Sequence, residues 1–207
     1  RAAAGRERIA AALERLVAKG RLEPDARDAT LARIGPTADL AAASAGVALA
    51  IEAIVEDEAA KRALAAALDA ALPVGAVIAS NTSSIPIGRL AEAVRPARRP
   101  AVIGLHFFNP VPVMPLVEIV RADGTGDAAE AVVRALAAAL GKTPIVSRDR
   151  PGFIVNRMLI PLLGEAMRLL EEGTGTAEAI DAGARLGLNH PMGPLALADL
   201  IGLDTLL

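Results

Sequence analysis

The chain has 207 residues, with 22 basic and 24 acidic side chains and a net charge of −2. This balance gives no electrostatic basis for binding nucleic acid or an anionic membrane. The sequence has no cysteine and only two histidines, His106 and His190, which excludes disulfides, thiolate metal sites and His-rich metal sites. No uncharged apolar run reaches the roughly 18 residues of a transmembrane helix. No signal peptide is visible, so the cytoplasm is the expected location.

The first 148 residues alternate between helical and strand patterns. Apolar residues at helical spacing predict a helix over 2–19, and Pro24 suits the first turn of a second, short helix. Further helices are predicted over 57–72, 86–94 and 127–140, and strands near Ile34 and over 47–51, 77–79, 101–106, 116–120 and 143–146. This alternation predicts a parallel α/β sheet over residues 1–148.

The pattern changes after residue 148. Residues 153–172, 177–186 and 194–201 read as helices, and no strand pattern lies between them. We therefore expect a second, all-α domain over residues 149–207. The sequence ends on apolar residues without a helix cap, so this domain is expected to be incomplete.

The rare residue types of this sequence are concentrated in three short segments. The only aromatic residues are three phenylalanines, and the only side-chain amides are asparagines. Most of them lie within 81–84, 106–110 and 153–157. Such clustering in a chain dominated by Ala, Leu, Arg and Val indicates specific chemistry at these segments.

One segment matches the bare glycine pattern of a dinucleotide-binding turn. Gly124-Thr-Gly126-Asp-Ala-Ala129 lies between a predicted strand and a predicted helix. It comes late in the α/β domain, with little sheet left after it to complete a nucleotide site. We interpret it as an ordinary surface turn before a helix.

Polar residues follow two of the predicted strands. Glu56 and Lys61 flank the carboxyl end of strand 47–51, where ligands of open α/β sheets bind, and are candidates for a ribose or nicotinamide contact. The alternative is a solvated charge pair at a helix start. Residues 81–84, Asn-Thr-Ser-Ser, follow the next strand and can hold a polar ligand; the alternative is a helix N-cap.

His106 is the principal catalytic candidate. It ends the apolar run 101–105, and Glu118 lies in the following strand. If those strands are neighbours, the carboxylate can fix the imidazole tautomer and stabilise the imidazolium, which leaves the other ring nitrogen to take a proton. Serine chemistry through Ser83 or Ser84 is the alternative, although the sequence has no nucleophile elbow. Asn156, in the first turn of the helix after Pro151, is either a ligand contact or a cap.

These segments together resemble the 3-hydroxyacyl-CoA dehydrogenase family. The resemblance runs in the family's order from residue 1 to residue 207. It is carried by Asn-Thr-Ser-Ser at 81–84, His-Phe-Phe-Asn-Pro-Val-Pro-Val-Met at 106–114, Leu-Val-Glu-Ile-Val at 116–120, Pro-Gly-Phe-Ile-Val-Asn-Arg at 151–157 and Pro-Met-Gly-Pro at 191–194. The combination is specific, although no single tetrapeptide would be.

The resemblance implies oxidation of an L-3-hydroxyacyl-CoA to the 3-ketoacyl-CoA with NAD as the hydride acceptor. His106 would be the general base and Glu118 its partner, while Ser83 and Asn156 would contact the reacting oxygens. The family's place in fatty acid metabolism, such as β-oxidation, is implied too.

For the cofactor, the resemblance assigns contacts to Glu56, Lys61 and Ser83, and places Asn109 near the nicotinamide. It also implies an N-terminal Rossmann domain and a C-terminal helical domain that forms most of a homodimer interface. The family's first strand, glycine-rich turn and ribose-binding acid are not found in this sequence. We therefore expect the Rossmann domain to be incomplete at its front.

Two other interpretations stay open at this point. A shortened cofactor domain would suit a catalytically inactive family relative, or a fragment, with a binding or assembly role. A dehydrogenase of free 3-hydroxyacids would resemble this sequence overall. Such enzymes typically use a lysine base, so the presence of His106 and Glu118 disfavours that interpretation.

Overall fold

A computed structural model describes residues 2–203 of the chain. Its five strands form one sheet in the order β1-β2-β3-β4-β5. The strands are β1 Leu49–Glu52, β2 Val77–Ser80, β3 Val102–Phe107, β4 Leu116–Arg121 and β5 Thr143–Arg148. The α-helices of the described residues are α1 Ala2–Ala18, α2 Pro24–Ala32, α3 Leu40–Ser44, α4 Glu58–Ala71, α5 Ile87–Ala91, α6 Asp127–Ala139, α7 Val155–Glu171, α8 Ala177–Ala182 and α9 Pro194–Ile201.

The order of elements gives the predicted class, an α/β domain of Rossmann type followed by helices alone. β1, β2 and β3 are parallel, and β5 is parallel to β4. The predicted parallel sheet is confirmed at three of the four strand pairs, and the departure is that β4 is antiparallel to β3. The connection over 108–115 contains no helix, and so short a link returns the chain as a hairpin instead of crossing the sheet.

Smaller differences concern the ends of elements. The strand predicted near Ile34 is wrong, because residues 34–37 have no regular structure and Pro36 cannot donate to a ladder. The predicted helix 86–94 is shortened to α5 and is followed by a 3₁₀ helix over Pro96–Ala101. The predicted end of the helical domain, at 204–207, lies outside the described residues.

Apolar side chains fill both faces of the sheet. Ile78, Val102 and Val120 belong to the buried cluster on the face of α4 and α5, and Ile103 and Ile119 to the cluster on the face of α6. Because each strand alternates its side chains, both clusters draw on the same strands, as in a doubly covered sheet.

A glycine brings α5 close to the sheet. A Cβ on Gly104 of β3 would lie 2.6 Å from Cβ of Val120 and 2.9 Å from Cδ1 of Ile87. Only a residue without a side chain therefore lets the start of α5 pack on β3.

The N-terminal N–H groups of three helices donate to carboxylates that lie far away in the sequence. α4 is capped by its own Asp57, but α5, α7 and α9 have no side-chain cap at their first residues. Asp149, Glu118 and Asp181 accept from the free N–H groups instead. The donors are Ile87 and Gly88 in α5, Ile154 and Val155 at the start of α7, and Leu195 and Ala196 in α9. Each carboxylate also faces the positive end of the helix dipole.

Within residues 2–203, none of the helices combines the length and the apolar character that a membrane crossing requires.

Candidate active site

His106 and Glu118 are directly opposite each other on β3 and β4. Opposed residues of antiparallel strands carry their side chains on the same face of the sheet. The Nδ1 atom of His106 lies 2.9 Å from Oε2 of Glu118. An ionised carboxylate can only accept, so Nδ1 carries the proton of the neutral ring and Nε2 holds the lone pair.

Glu118 is fully buried, and the contacts of its second oxygen explain how it is accommodated. Oε1 accepts from the backbone N–H groups of Ile154 at 3.0 Å and Val155 at 3.1 Å. Burial raises the pKa of Glu118, but the hydrogen bonds from His106 and from these two N–H groups outweigh it, so the net shift of the pKa is downward. The carboxylate is thus held ionised beside the imidazole.

Two phenylalanine rings surround the imidazole. The Phe108 ring centroid lies 4.6 Å from that of His106, and the Phe153 centroid lies 5.7 Å away, edge-on. His106 is only 6% exposed. Among the described residues no protein group hydrogen-bonds to Nε2 of His106, so that nitrogen is available to an incoming group.

The turn that carries Ser83 lies beside the histidine strand. Oδ1 of Asn81 accepts from the backbone N–H of Phe107 at 2.9 Å, which joins the ends of β2 and β3. A single oxygen of Glu56, Oε1, accepts from the hydroxyl groups of Thr82 and Ser84 and from two backbone N–H groups, those of residues 83 and 84. Among the described residues, the hydroxyl group of Ser83 has no protein partner.

The same contacts govern the charge of Glu56. Partial burial raises its pKa, but the hydrogen bonds from Thr82, from the Ser84 hydroxyl and from the two backbone N–H groups outweigh the burial and lower the pKa. Glu56 is therefore an ionised carboxylate, and its Oε1 is bound to the turn over residues 82–84.

Lys61 lies at the same edge of the sheet but inside the protein. It is 1% exposed, and its Nζ atom is 2.9 Å from both carboxylate oxygens of Glu52. Nζ also donates to the carbonyl oxygen of Ile54 at 3.3 Å and lies 3.4 Å from Oε2 of Glu56. One ammonium ion therefore joins the end of β1 to the carboxylate that holds the turn.

Asn109 and Asn156 each lie one residue from a group that contacts the pair: Phe108 packs on His106, and the N–H of Val155 donates to Glu118. Asn109 is exposed, follows Phe108 and precedes a cis bond to Pro110. Lys142 holds the loop that carries Asn109, because its Nζ donates to the carbonyl oxygens of residues 111 and 114, both at 2.7 Å. Asn156 is the second residue of α7, next to a backbone N–H that Glu118 accepts.

The Gly124–Ala129 segment lies at the end of the sheet opposite the carboxyl ends of β1 to β3. β4 is antiparallel to β3, so its carboxyl end is beside the amino ends of β1 to β3. The N–H of Gly126 donates to the carbonyl oxygen of Pro100, and the Thr125 hydroxyl to that of Val102. These internal bonds support the interpretation of the segment as a structural turn.

The sequence analysis gave no role to three groups that build the site. They are Glu52, Ser80 and Lys142. A charge placed directly after an apolar strand, with an opposite charge in the first turn of the next helix, was the available signal for Glu52. Nothing local marks Lys142, whose contacts span the proline-rich loop.

The sequence matches two family descriptions in succession. Residues 1–150 match the 3-hydroxyacyl-CoA dehydrogenase NAD binding domain, and residues 152–207 match the C-terminal domain of the same family. The chain belongs to the 3-hydroxyacyl-CoA dehydrogenase family. The predicted resemblance is confirmed, and so is the expectation of an NAD-using oxidoreductase.

Individual members of the 3-hydroxyacyl-CoA dehydrogenase family are similar over most of the chain. A 3-hydroxybutyryl-CoA dehydrogenase of Mycobacterium tuberculosis is 49% identical over 205 residues, which are 98% of this chain and 71% of that protein. The mitochondrial hydroxyacyl-coenzyme A dehydrogenase of Homo sapiens is 44% identical over 85% of this chain and 55% of its own length. The crystal structure of the (S)-3-hydroxybutyryl-CoA dehydrogenase of Ralstonia eutropha superimposes with a TM-score of 0.94 at 44% identity, covering 99% of this chain and 71% of that one.

Proposed function

We propose that this chain carries the catalytic site for NAD-dependent oxidation of an L-3-hydroxyacyl-CoA to the 3-ketoacyl-CoA. The observation that supports this most directly is the pair of His106 and Glu118, with Nδ1 bound to a buried carboxylate and Nε2 without a partner in the described part of the chain. The relatives named as 3-hydroxybutyryl-CoA dehydrogenases supply the substrate class.

In the forward direction, Nε2 of His106 removes the proton of the substrate hydroxyl group. Glu118 keeps the ring in the tautomer that can accept it and stabilises the imidazolium that results. Bound NAD supplies the acceptor for the hydride that leaves C3. Ser83 and Asn156 are proposed to hydrogen-bond the reacting oxygens, and in the reverse direction the imidazolium of His106 returns the proton.

The described residues suit the nicotinamide half of the cofactor. Ser83 and Asn109 offer side chains without partners in the described part of the chain, and such neutral donors and acceptors match ribose hydroxyl and carboxamide groups. Glu56 and Lys61 remain proposed cofactor contacts at the same carboxyl edge of β1 and β2, the edge where open α/β sheets bind ligands.

The first experiment is acetoacetyl-CoA-dependent oxidation of NADH. Residues 1–207 and the full chain as the gene encodes it are assayed in parallel. In the active form, His106→Ala should remove nearly all turnover and leave the far-UV CD spectrum close to the parent's. His190→Ala is the matched control, since no role is assigned to that loop histidine, and should keep parental turnover. Activity of His106→Ala within a few-fold of the parent would refute the assignment.

The same assay separates the two alternatives. A dehydrogenase of free acids would oxidise 3-hydroxybutyrate about as well as its CoA ester. A catalytically inactive relative would show no turnover in either form of the chain. The hydrogen-bonded pair of His106 and Glu118 favours an active enzyme over both, because neither alternative requires a buried carboxylate behind a histidine.

We also propose a homodimer formed through the helical part. The support is a set of large apolar side chains that α7 to α9 and their connections leave exposed: Met158, Ile160, Leu170, Leu186, Leu188 and Leu200. Light scattering on the full chain would show a mass of two protomers. The cytoplasmic location and a role in β-oxidation stay predictions, to be checked by cell fractionation and by growth of a deletion strain on fatty acids.

A further inference from the structure

Glu52, the last residue of β1, is a carboxylate enclosed by the protein. It is 6% exposed, and both of its oxygens accept from Nζ of Lys61 at 2.9 Å. Oε1 also accepts from the hydroxyl group of Ser80 at the end of β2, and Oε2 from the backbone N–H of Ile54 at 3.2 Å. Burying a charge is costly unless it is paired and hydrogen-bonded, so this arrangement needs all of its partners.

The contacts of Glu52 extend through Lys61 and Glu56 to the turn that carries Ser83. Lys61, held by Glu52, lies 3.4 Å from Oε2 of Glu56. The other oxygen of Glu56 accepts from the N–H groups of Ser83 and Ser84 at 2.9 and 3.0 Å. A second connection runs through Ser80, whose hydroxyl group donates to Glu52 and accepts from the backbone N–H of Thr82 at 3.2 Å.

We propose that Glu52 is a positioning residue of the active site, which acts through Lys61 and Glu56 to fix the turn that presents Ser83. Glu52 touches neither substrate nor cofactor. This inference rests on the proposed function for the role of Ser83, but the contacts on which it depends are independent of that function.

The charges explain why Glu52 is needed in addition to Glu56. Lys61 is almost fully enclosed, and an enclosed ammonium ion is costly to bury unless a carboxylate pairs with it. Without the charge of Glu52, Lys61 would pair with Glu56 alone among the described carboxylates. Glu56 is more exposed than Glu52, and its Oε1 already accepts from the turn. Loss of the charge at Glu52 therefore displaces either the lysine or the carboxylate that holds Ser83.

The test uses Glu52→Gln, which keeps the shape and removes the charge, and Asp69→Asn as a matched control. Asp69 is 4% exposed and pairs with Arg95 and Arg98, so it is also a buried acid of the sheet domain. It lies at the end of α4, away from the turn. The first readout is amide hydrogen exchange of Ser83 and Ser84, measured by NMR on the full chain without substrate or cofactor. We expect about tenfold faster exchange in Glu52→Gln and unchanged exchange at these two amides in Asp69→Asn.

The second readout is a double-mutant cycle on kcat/KM with Ser83→Ala. If Glu52 acts through Ser83, Glu52→Gln should lower kcat/KM about tenfold or more in the parent, mostly through kcat, and only a few-fold when Ser83 is already absent. Additive losses, or unchanged exchange at Ser83 and Ser84 in Glu52→Gln, would overturn the inference. A parent chain without turnover would contradict the proposed function, and the exchange measurement would still decide the positioning of the turn.

Discussion

Replacing Glu118 by glutamine tests the arrangement of the base most directly. Glutamine has the shape of glutamate, and its oxygen can still accept from the N–H groups of Ile154 and Val155, which lie 3.0 and 3.1 Å from Oε1 of Glu118. The amide NH₂ then faces Nδ1 of His106. Because that group donates, Nδ1 must accept, and the proton moves to Nε2, the nitrogen that has to take the substrate proton.

The expected loss of turnover results from this inversion. General base catalysis contributes roughly 10²–10⁴-fold, and a ring in the wrong tautomer loses most of it. Turnover of Glu118→Gln should therefore fall by about 10²-fold or more.

The same substitution should also lower the stability of the fold. Hydrogen bonds to a charged group contribute about 1.5–3 kcal/mol and those between neutral groups about 0.5–1.5 kcal/mol, so weakening the bonds of Glu118 should cost roughly 1–3 kcal/mol of unfolding free energy. Glu118→Ala, which leaves the ring of His106 and the N–H groups of Ile154 and Val155 without their acceptor, should cost about 3–5 kcal/mol.

The stability difference should also depend on pH. The folded protein lowers the pKa of Glu118, so the contribution of this carboxylate is complete above the ordinary glutamate pKa and is lost as the pH falls through the folded pKa. Urea unfolding of parent and Glu118→Gln at neutral pH and at progressively lower pH should show the difference narrowing. Turnover of Glu118→Gln within a few-fold of the parent would show that Glu118 does not control the imidazole.

Three further predictions concern other carboxylates and contacts of the fold. The hydrogen bond from Arg95 holds the pKa of Asp69 well below its usual range, so Asp69→Asn should destabilise the protein at neutral pH by an amount that shrinks in acid, as urea titrations would show. Gly193→Ala should lower Tm by several degrees, since its Cβ would lie 2.2 Å from Cγ of Asp181; an unchanged Tm would mean that this carboxylate moves freely. Lys142→Met should raise the KM for NADH several-fold, because it removes the two hydrogen bonds that hold the loop of Asn109. Lys142→Arg keeps a donor at this position and should raise the KM less.

The sequence was sufficient for the class of fold because apolar periodicity is local. The runs before Glu52 and His106 are short and continuous, as buried strands are, and the alanine-rich segments between them repeat at helical spacing. The direction of β4 was not predictable in this way. It depends on whether the loop over 108–115 forms a helix, and its prolines only exclude long helices without fixing the pairing.

The candidate site, too, was predictable only in part. His106 and Glu118 are 12 residues apart, and their contact depends on whether their strands are neighbours, which the sequence alone leaves open. For Glu52 the signal was only a charge directly after an apolar strand, and Lys142 gave none. A charged residue in a sequence is normally solvated, and its burial becomes evident only when partners from other elements surround it.

The distant carboxylates at the starts of α5, α7 and α9 bear on how the chain folds. A helix with its own cap can begin to form as an isolated peptide, but these three gain their N-terminal hydrogen bonds only when Asp149, Glu118 and Asp181 have arrived from other segments. Their formation is therefore tied to the assembly of the surrounding structure. The link made by Glu118 joins the sheet to the first of the C-terminal helices, so the two parts should unfold in one cooperative transition, and the histidine loses its partner in the same event.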